Sequence, residues 1–138
     1  MPDPEKCRRL IELIVSQAEY PQGLALVTPS EFFDGNDQEG SIGCNLPDHP
    51  GLEVFKSVAK RLLALPGAEE VWMQIYDFEE TDWPFSENIL VFGTARVEDV
   101  EALADEIMPS EVQEMHVDWV PSRDPSLAGH RYVNLWWD

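Results

Sequence analysis

Positive charge is what this sequence has least of. Nine lysines and arginines stand against twenty-seven aspartates and glutamates, a formal balance of −18. No lysine or arginine lies between Arg9 and Lys56, and none between Arg61 and Arg96. A chain so poor in cations has little with which to displace the counterions of a phosphate backbone, which argues against direct nucleic-acid binding. An anionic membrane surface repels it for the same reason. Cysteine is also scarce. Cys7 and Cys44 form no C-x-x-C pair, are too few for a disulfide framework, and are expected as free thiols in a reducing cytoplasm. Apolar runs extend only a few residues, too short to span a bilayer. The opening Met1-Pro2-Asp3-Pro4-Glu5 is polar and does not read as a signal peptide.

Motifs that carry chemistry are missing as well. Asp34-Gly35-Asn36-Asp37-Gln38-Glu39-Gly40 resembles the start of a calcium loop, but the positions that must hold glycine and a closing glutamate are Glu39 and Asn45. His49, His116 and His130, with the two cysteines, never reach zinc-ligand spacing, so no metal is expected. Gly40-Ser41-Ile42-Gly43 lacks the lysine of a phosphate-binding loop, and no cofactor is expected. Cys44 has Asp48 and His49 close in sequence, the raw material of a thiol nucleophile. The surrounding acids would raise a thiol pKa instead of lowering it, so a buried Cys44 that anchors the loop is the expectation, and the chain leans away from being an enzyme.

What is present is the patterning of one domain covering residues 1–138. Asp3 caps and Pro4 opens a first helix, whose apolar face carries Leu10, Ile11, Leu13, Ile14 and Ala18 until Tyr20-Pro21-Gln22-Gly23 breaks it. A short strand is predicted over 24–28. An irregular stretch over 29–51 follows, with one helical turn capped by Ser30; a loop this long is unusual in a compact domain. The spacing of Leu52, Phe55, Val58, Ala59, Leu62 and Leu63 predicts a helix over 52–65. Strands are predicted over 71–78 and 88–94, the second apolar throughout and therefore central, paired antiparallel through the acidic connection 79–86. A helix over 97–108 and strands over 114–120 and 131–137 complete the order. This predicts an α+β fold: an antiparallel sheet with helices mainly on one face, a ferredoxin-like βαββαβ core, an N-terminal helix and a C-terminal extra strand.

The residues expected to bind a partner follow from charge and aromaticity. Glu31, Asp34, Asp37 and Glu39 in the long loop, with Glu79, Glu80 and Asp82 in the hairpin connection, would form an acidic face. Trp83 and Trp137 would supply aromatic anchors, a frequent hot-spot composition, and hold a partner's arginine or lysine by charge and cation–π attraction together. The leading expectation is a non-enzymatic protein-binding module for a basic protein. The second is a small-ligand or hydrolytic domain with a pocket under the 29–51 loop, using Cys44, Asn45 and His49. The third is a homo-oligomeric structural domain, such as a homodimer joined at a sheet edge or face.

Three segments taken together, Glu39-Gly40-Ser41-Ile42-Gly43-Cys44-Asn45-Leu46 with His49-Pro50-Gly51, Trp83-Pro84-Phe85-Ser86, and Leu135-Trp136-Trp137-Asp138, resemble an uncharacterised family of small acidic bacterial proteins. That resemblance implies a bacterial, cytoplasmic, single-domain protein and brings no activity, cofactor or active site. In size and charge alone the chain is also similar to immunity proteins that neutralise secreted toxins.

Overall fold

The computed structural model describes residues 3–17, 24–79 and 82–138. Helix α1 (Pro4–Val15) begins where the Asp3 carboxylate accepts hydrogen bonds from the amides of Glu5 and Lys6 at 3.0 and 3.2 Å. Pro4 sits in the first turn, where a missing N–H is harmless. The helical turn expected near Ser30 is α2 (Pro29–Phe33), but its cap is Thr28. The Thr28 hydroxyl accepts the Glu31 amide at 3.1 Å while the Glu31 carboxylate accepts the Thr28 amide at 2.8 Å, a reciprocal box that closes both ends of the first turn. Helix α3 (Leu52–Leu63) and helix α4 (Val97–Leu103) follow. The latter tightens into a 3-10 turn over Ala104–Ile107 and ends at Met108, whose φ of 48° places a non-glycine residue in the left-handed region. The predicted helix break at 20–23, Ala18, and Glu80 lie outside the described residues.

Five strands, β1 (Ala25–Val27), β2 (Ala68–Asp77), β3 (Phe85–Gly93), β4 (Glu111–His116) and β5 (Arg131–Trp136), make one sheet in the order β1-β2-β3-β5-β4, every neighbouring pair antiparallel. β3 is central, as its continuous apolar run implied. The period-two alternation of strands divides the core in two. Met73, Ile75, Ile89, Val91, Val133 and Leu135 face the helices and meet Leu10 and Ile14 of α1, Phe55, Val58 and Leu62 of α3, and Val100 of α4. On the opposite face Leu26, Trp72, Leu90, Phe92 and Tyr132 lie beneath a cover segment, 117–130, through its Val117, Trp119 and Leu127. Each such buried side chain contributes roughly 1.5–3 kcal/mol. The fold is therefore α+β, an antiparallel sheet with its helices on one face.

The ferredoxin-like strand order expected from the sequence is not the one found. That order requires the first strand inside the sheet. Here β1 is outermost and antiparallel to β2, and the C-terminal strand β5 is an interior strand, inserted between β3 and β4. The reason lies at Leu26. Its amide donates to Gln17 Oε1 at 2.9 Å, and its carbonyl accepts from Gln17 Nε2 at 2.8 Å and from Arg123 Nη1 at 3.2 Å. A side-chain amide thus takes the place a neighbouring strand would fill, and β1 ends the sheet.

The other edge has no such seal. Trp137 and Glu87 pair by backbone hydrogen bond, as do Val117 and His130. With the registers of β3, β5 and β4, this alternation turns the backbone N–H and C=O of Val112, Glu114 and His116 away from β5, toward solvent.

Candidate functional site

The long loop is held by its own polar groups. Asn36 donates from Nδ2 to Ser41 Oγ at 2.9 Å and accepts the Gln38 amide at 2.9 Å. Ile42, fully buried, bridges to Ser86 at the start of β3. Gly43 adopts a φ of 65°, and a Cβ there would strike the Phe55 ring, so the turn admits glycine alone. His49 Nδ1 accepts the Gly51 amide at 3.0 Å, which leaves the proton on Nε2 to be donated to the Ile42 carbonyl at 2.7 Å. Its ring lies 5.1 Å from that of Phe55. Both imidazole nitrogens are thus committed to the loop's own backbone.

Cys44, Asn45 and His49 do not converge on a pocket. Cys44 is exposed, not buried as expected, and its thiol points to Asn45 Oδ1 at 3.7 Å and not to His49. The space beneath the loop is filled by Phe32, Ile42, Phe55 and Trp83, all fully buried. The buried thiol is that of Cys7, which donates to the Asp82 carbonyl at 3.5 Å. Burial, with the negative charge of Asp82 adding to it, pushes its pKa up.

The loop and the hairpin connection do meet, as the acidic-face expectation required, but the residue that joins them was expected on the surface. Trp83 is completely buried. Its backbone amide donates to Gln38 Oε1, and its indole Nε1 donates to the Phe32 carbonyl at 2.8 Å. Trp137 is 3% exposed, donates from Nε1 to the Ile107 carbonyl at 2.8 Å and packs 5.5 Å from Phe55. Neither can serve a partner as an aromatic anchor. Their burial follows from satisfied indole N–H groups, which remove the main cost of placing tryptophan in a core.

Two of the carboxylates expected to bind a partner are held by cations of the chain itself. Glu31 is held by Arg123 at 3.0 and 3.3 Å, and the same guanidinium lies 5.2 Å over the Trp72 ring. Asp34 pairs with Lys6 at 2.8 Å, which raises the Lys6 pKa through that hydrogen bond and charge. Asp37, Glu39 and Glu79 are exposed and Asp82 is half-buried. These four lie on the two segments that Trp83, Gln38 and the Ile42–Ser86 bridge fasten together. Exposed carboxylates lie on both segments, and neither tryptophan stands on the surface among them.

Two features escaped the sequence reading. A groove of about 550 Å³ runs between α2, α3 and the start of β2, with Lys56 and Lys60 on one wall, Glu69 and Glu70 on another and Trp72 among its apolar lining. The i, i+4 spacing of two lysines in so cation-poor a chain was its available signal. The second is a depression of about 330 Å³ beside the start of β4, flanked by Glu101, Asp105 and Glu111. Nothing in the local pattern joins those residues, because only the packing of α4 against β4 brings them together. No described helix is long and apolar enough to cross a membrane.

Comparison with known proteins agrees with the sequence resemblance. A family model described as the uncharacterized protein YfbO family matches residues 5–135. The protein named uncharacterized protein YfbO from Escherichia coli (strain K12) is 32% identical over 119 residues, covering 82% of each chain. No solved structure matches. A match along nearly all of the chain, joined to that identity over most of both proteins, places it plainly: the chain belongs to the YfbO family.

Proposed function

We propose that this protein is a non-catalytic binding module for a basic protein partner, engaged through the carboxylates of the 34–39 and 79–82 segments. The observation that carries this reading is the fastening of the two segments by buried Trp83, whose amide and indole both find partners in the 29–51 loop. Fixed carboxylates steer a cationic partner and set its orientation without the ordering cost of a mobile loop. The full engagement of both His49 nitrogens and the turning of the Cys44 thiol toward Asn45 support the non-catalytic side of the reading. An inhibitor or immunity protein for a basic bacterial protein is its most concrete form. Affinity then comes from charge-assisted hydrogen bonds instead of buried aromatic area, and it weakens as salt shortens the screening length.

Two triple variants of equal charge test this. Asp37→Lys, Glu39→Lys and Glu79→Lys together should abolish capture of a basic protein from lysate of the native bacterial host at low salt. Glu53→Lys, Glu69→Lys and Glu98→Lys together should retain it. Equal loss in both would show that net charge alone is at work and that this face has no special part.

A further inference from the structure

The sheet has two edges, and the molecule treats them differently. On β1 the Gln17 amide and the Arg123 guanidinium occupy the groups of Leu26 that a neighbouring strand would use. On β4 the N–H and C=O of Val112, Glu114 and His116 face outward and have no partner among the described residues. Of the usual deterrents to strand addition, β4 carries only charge, that of Glu111 and Glu114. It contains no proline or lysine, and its register with β5 runs unbroken from Glu111–Trp136 to His116–Arg131. We propose that β4 is a docking edge, and that its occupant is an extended, lysine- or arginine-bearing segment of a protein partner, added to the sheet as a sixth strand.

Charge selects this occupant over a second copy of the chain. Antiparallel pairing of two β4 strands would bring Glu111 and Glu114 of both copies into one ribbon, between molecules that each carry −18, and like charges across strands destabilise. A cationic strand meets the opposite situation. At the start of β4, the depression flanked by Glu101, Asp105 and Glu111 has apolar walls from Met108, Pro109 and Val112. It suits a side chain with an aliphatic stem and a charged tip. Among the described residues, none of those three carboxylates is paired with a lysine or arginine. The start of β4 also lies at the end of the sheet where the hairpin connection enters β3. Glu111 shares a row of the sheet with Trp136 and Asn88, and the Glu87 carbonyl accepts the Trp137 amide. Backbone hydrogen bonds supply affinity in such strand addition, and the flanking side chains supply selectivity. The cationic identity of the occupant rests on the function proposed above; the open edge does not.

The test is a titration of the isotopically labelled protein, followed by amide hydrogen exchange. One probe is an alternating lysine–valine peptide of about eight residues; the other is its counterpart with proline at every valine. The lysine–valine peptide should slow exchange at Val112, Glu114 and His116 and bind about tenfold more tightly than the proline peptide. His116→Pro, which removes an outward-facing N–H from an edge strand that tolerates its loss, should weaken binding with circular dichroism unchanged. Asp105→Lys, which leaves the β4 backbone intact, should weaken it too. Equal binding of both peptides without amide protection would overturn the docking edge and leave the cationic-partner reading standing. Binding of neither would overturn the edge, the loop face being judged by its own charge-reversal variants. Protection of the same amides by protein concentration alone, with a dimer in ultracentrifugation, would assign the edge to a second copy and overturn the proposal.

Discussion

Replacing Gln17 by alanine removes a side chain that acts as a one-residue strand, and its cost can be worked out from the hydrogen bonds around Leu26. Three bonds disappear: two with Leu26 at 2.8 and 2.9 Å, each worth about 1 kcal/mol net, and a long, weak one to the Leu13 carbonyl at 3.4 Å. The Leu26 carbonyl keeps its bond from Arg123. The Leu26 amide keeps nothing, and Leu26 is fully buried, so its N–H joins the unsatisfied groups that cost about 1–3 kcal/mol. These are overlapping descriptions of one loss, and together they give about 3 kcal/mol. For a chain of this size that lowers Tm by roughly 10 °C. Urea unfolding followed by circular dichroism measures it, with an unchanged slope if the effect is on the native state. Gln17→Glu should be at least as damaging, because it sets a carboxylate oxygen against the Leu26 carbonyl. Gln113→Ala, at an exposed position on β4, should stay within about 0.5 kcal/mol of the parent. If Gln17→Ala also falls within that margin, the sealing of β1 is a geometric coincidence and contributes nothing to stability.

Three further outcomes are expected. Gly93→Ala should destabilise by about 3 kcal/mol or more, because φ at Gly93 is 119° and a Cβ there would collide with the Gly67 carbonyl oxygen; thermal unfolding of the variant reads this directly. In the native protein iodoacetamide should label Cys44 quickly and Cys7 only on unfolding, as peptide mapping would show, and equal labelling rates would contradict the burial of Cys7. Stability should fall in alkali. Burial chiefly, with Asp82 and Asp118 adding to it, raises the pKa of Cys7 and Tyr132 respectively, and so favours their neutral forms in the folded state. Their contribution is intact below the ordinary thiol and phenol values and is lost as pH climbs through the raised ones; Tyr132→Phe should flatten the upper part of the decline in denaturation curves taken from about pH 8 to about pH 11.

Local signals carried the elements well and their arrangement less well. Asp3-Pro4 marked the start of α1, the apolar spacing of Leu52 to Leu62 marked α3, and the unbroken Ile89-Leu90-Val91-Phe92 run placed β3 at the centre of the sheet. The strand order was not legible, because it turns on side-chain contacts that follow no repeat: Gln17 with Leu26 nine residues on, and Arg123 with both Leu26 and Glu31 from far along the chain. No periodicity records such pairs. The site was misread where composition stood in for geometry. Trp83 lies in an acidic loop and reads as exposed, yet Phe32 offers its indole a carbonyl and Gln38 caps its amide, and those partners come from the other loop. Cys44 and His49 are close in sequence, but each spends its polar atoms on the loop that carries it.

The placement of the indoles has a spectroscopic consequence. Trp83 and Trp137 belong to the helical layer, while Trp72 and Trp119 lie under or within 117–130, and Trp119 Nε1 is buried without a hydrogen-bond partner among the described residues. The two layers therefore carry separate fluorophores. Single-tryptophan versions would report on each layer by its own emission, so peeling of the cover segment could be followed as a colour change distinct from melting of the helices.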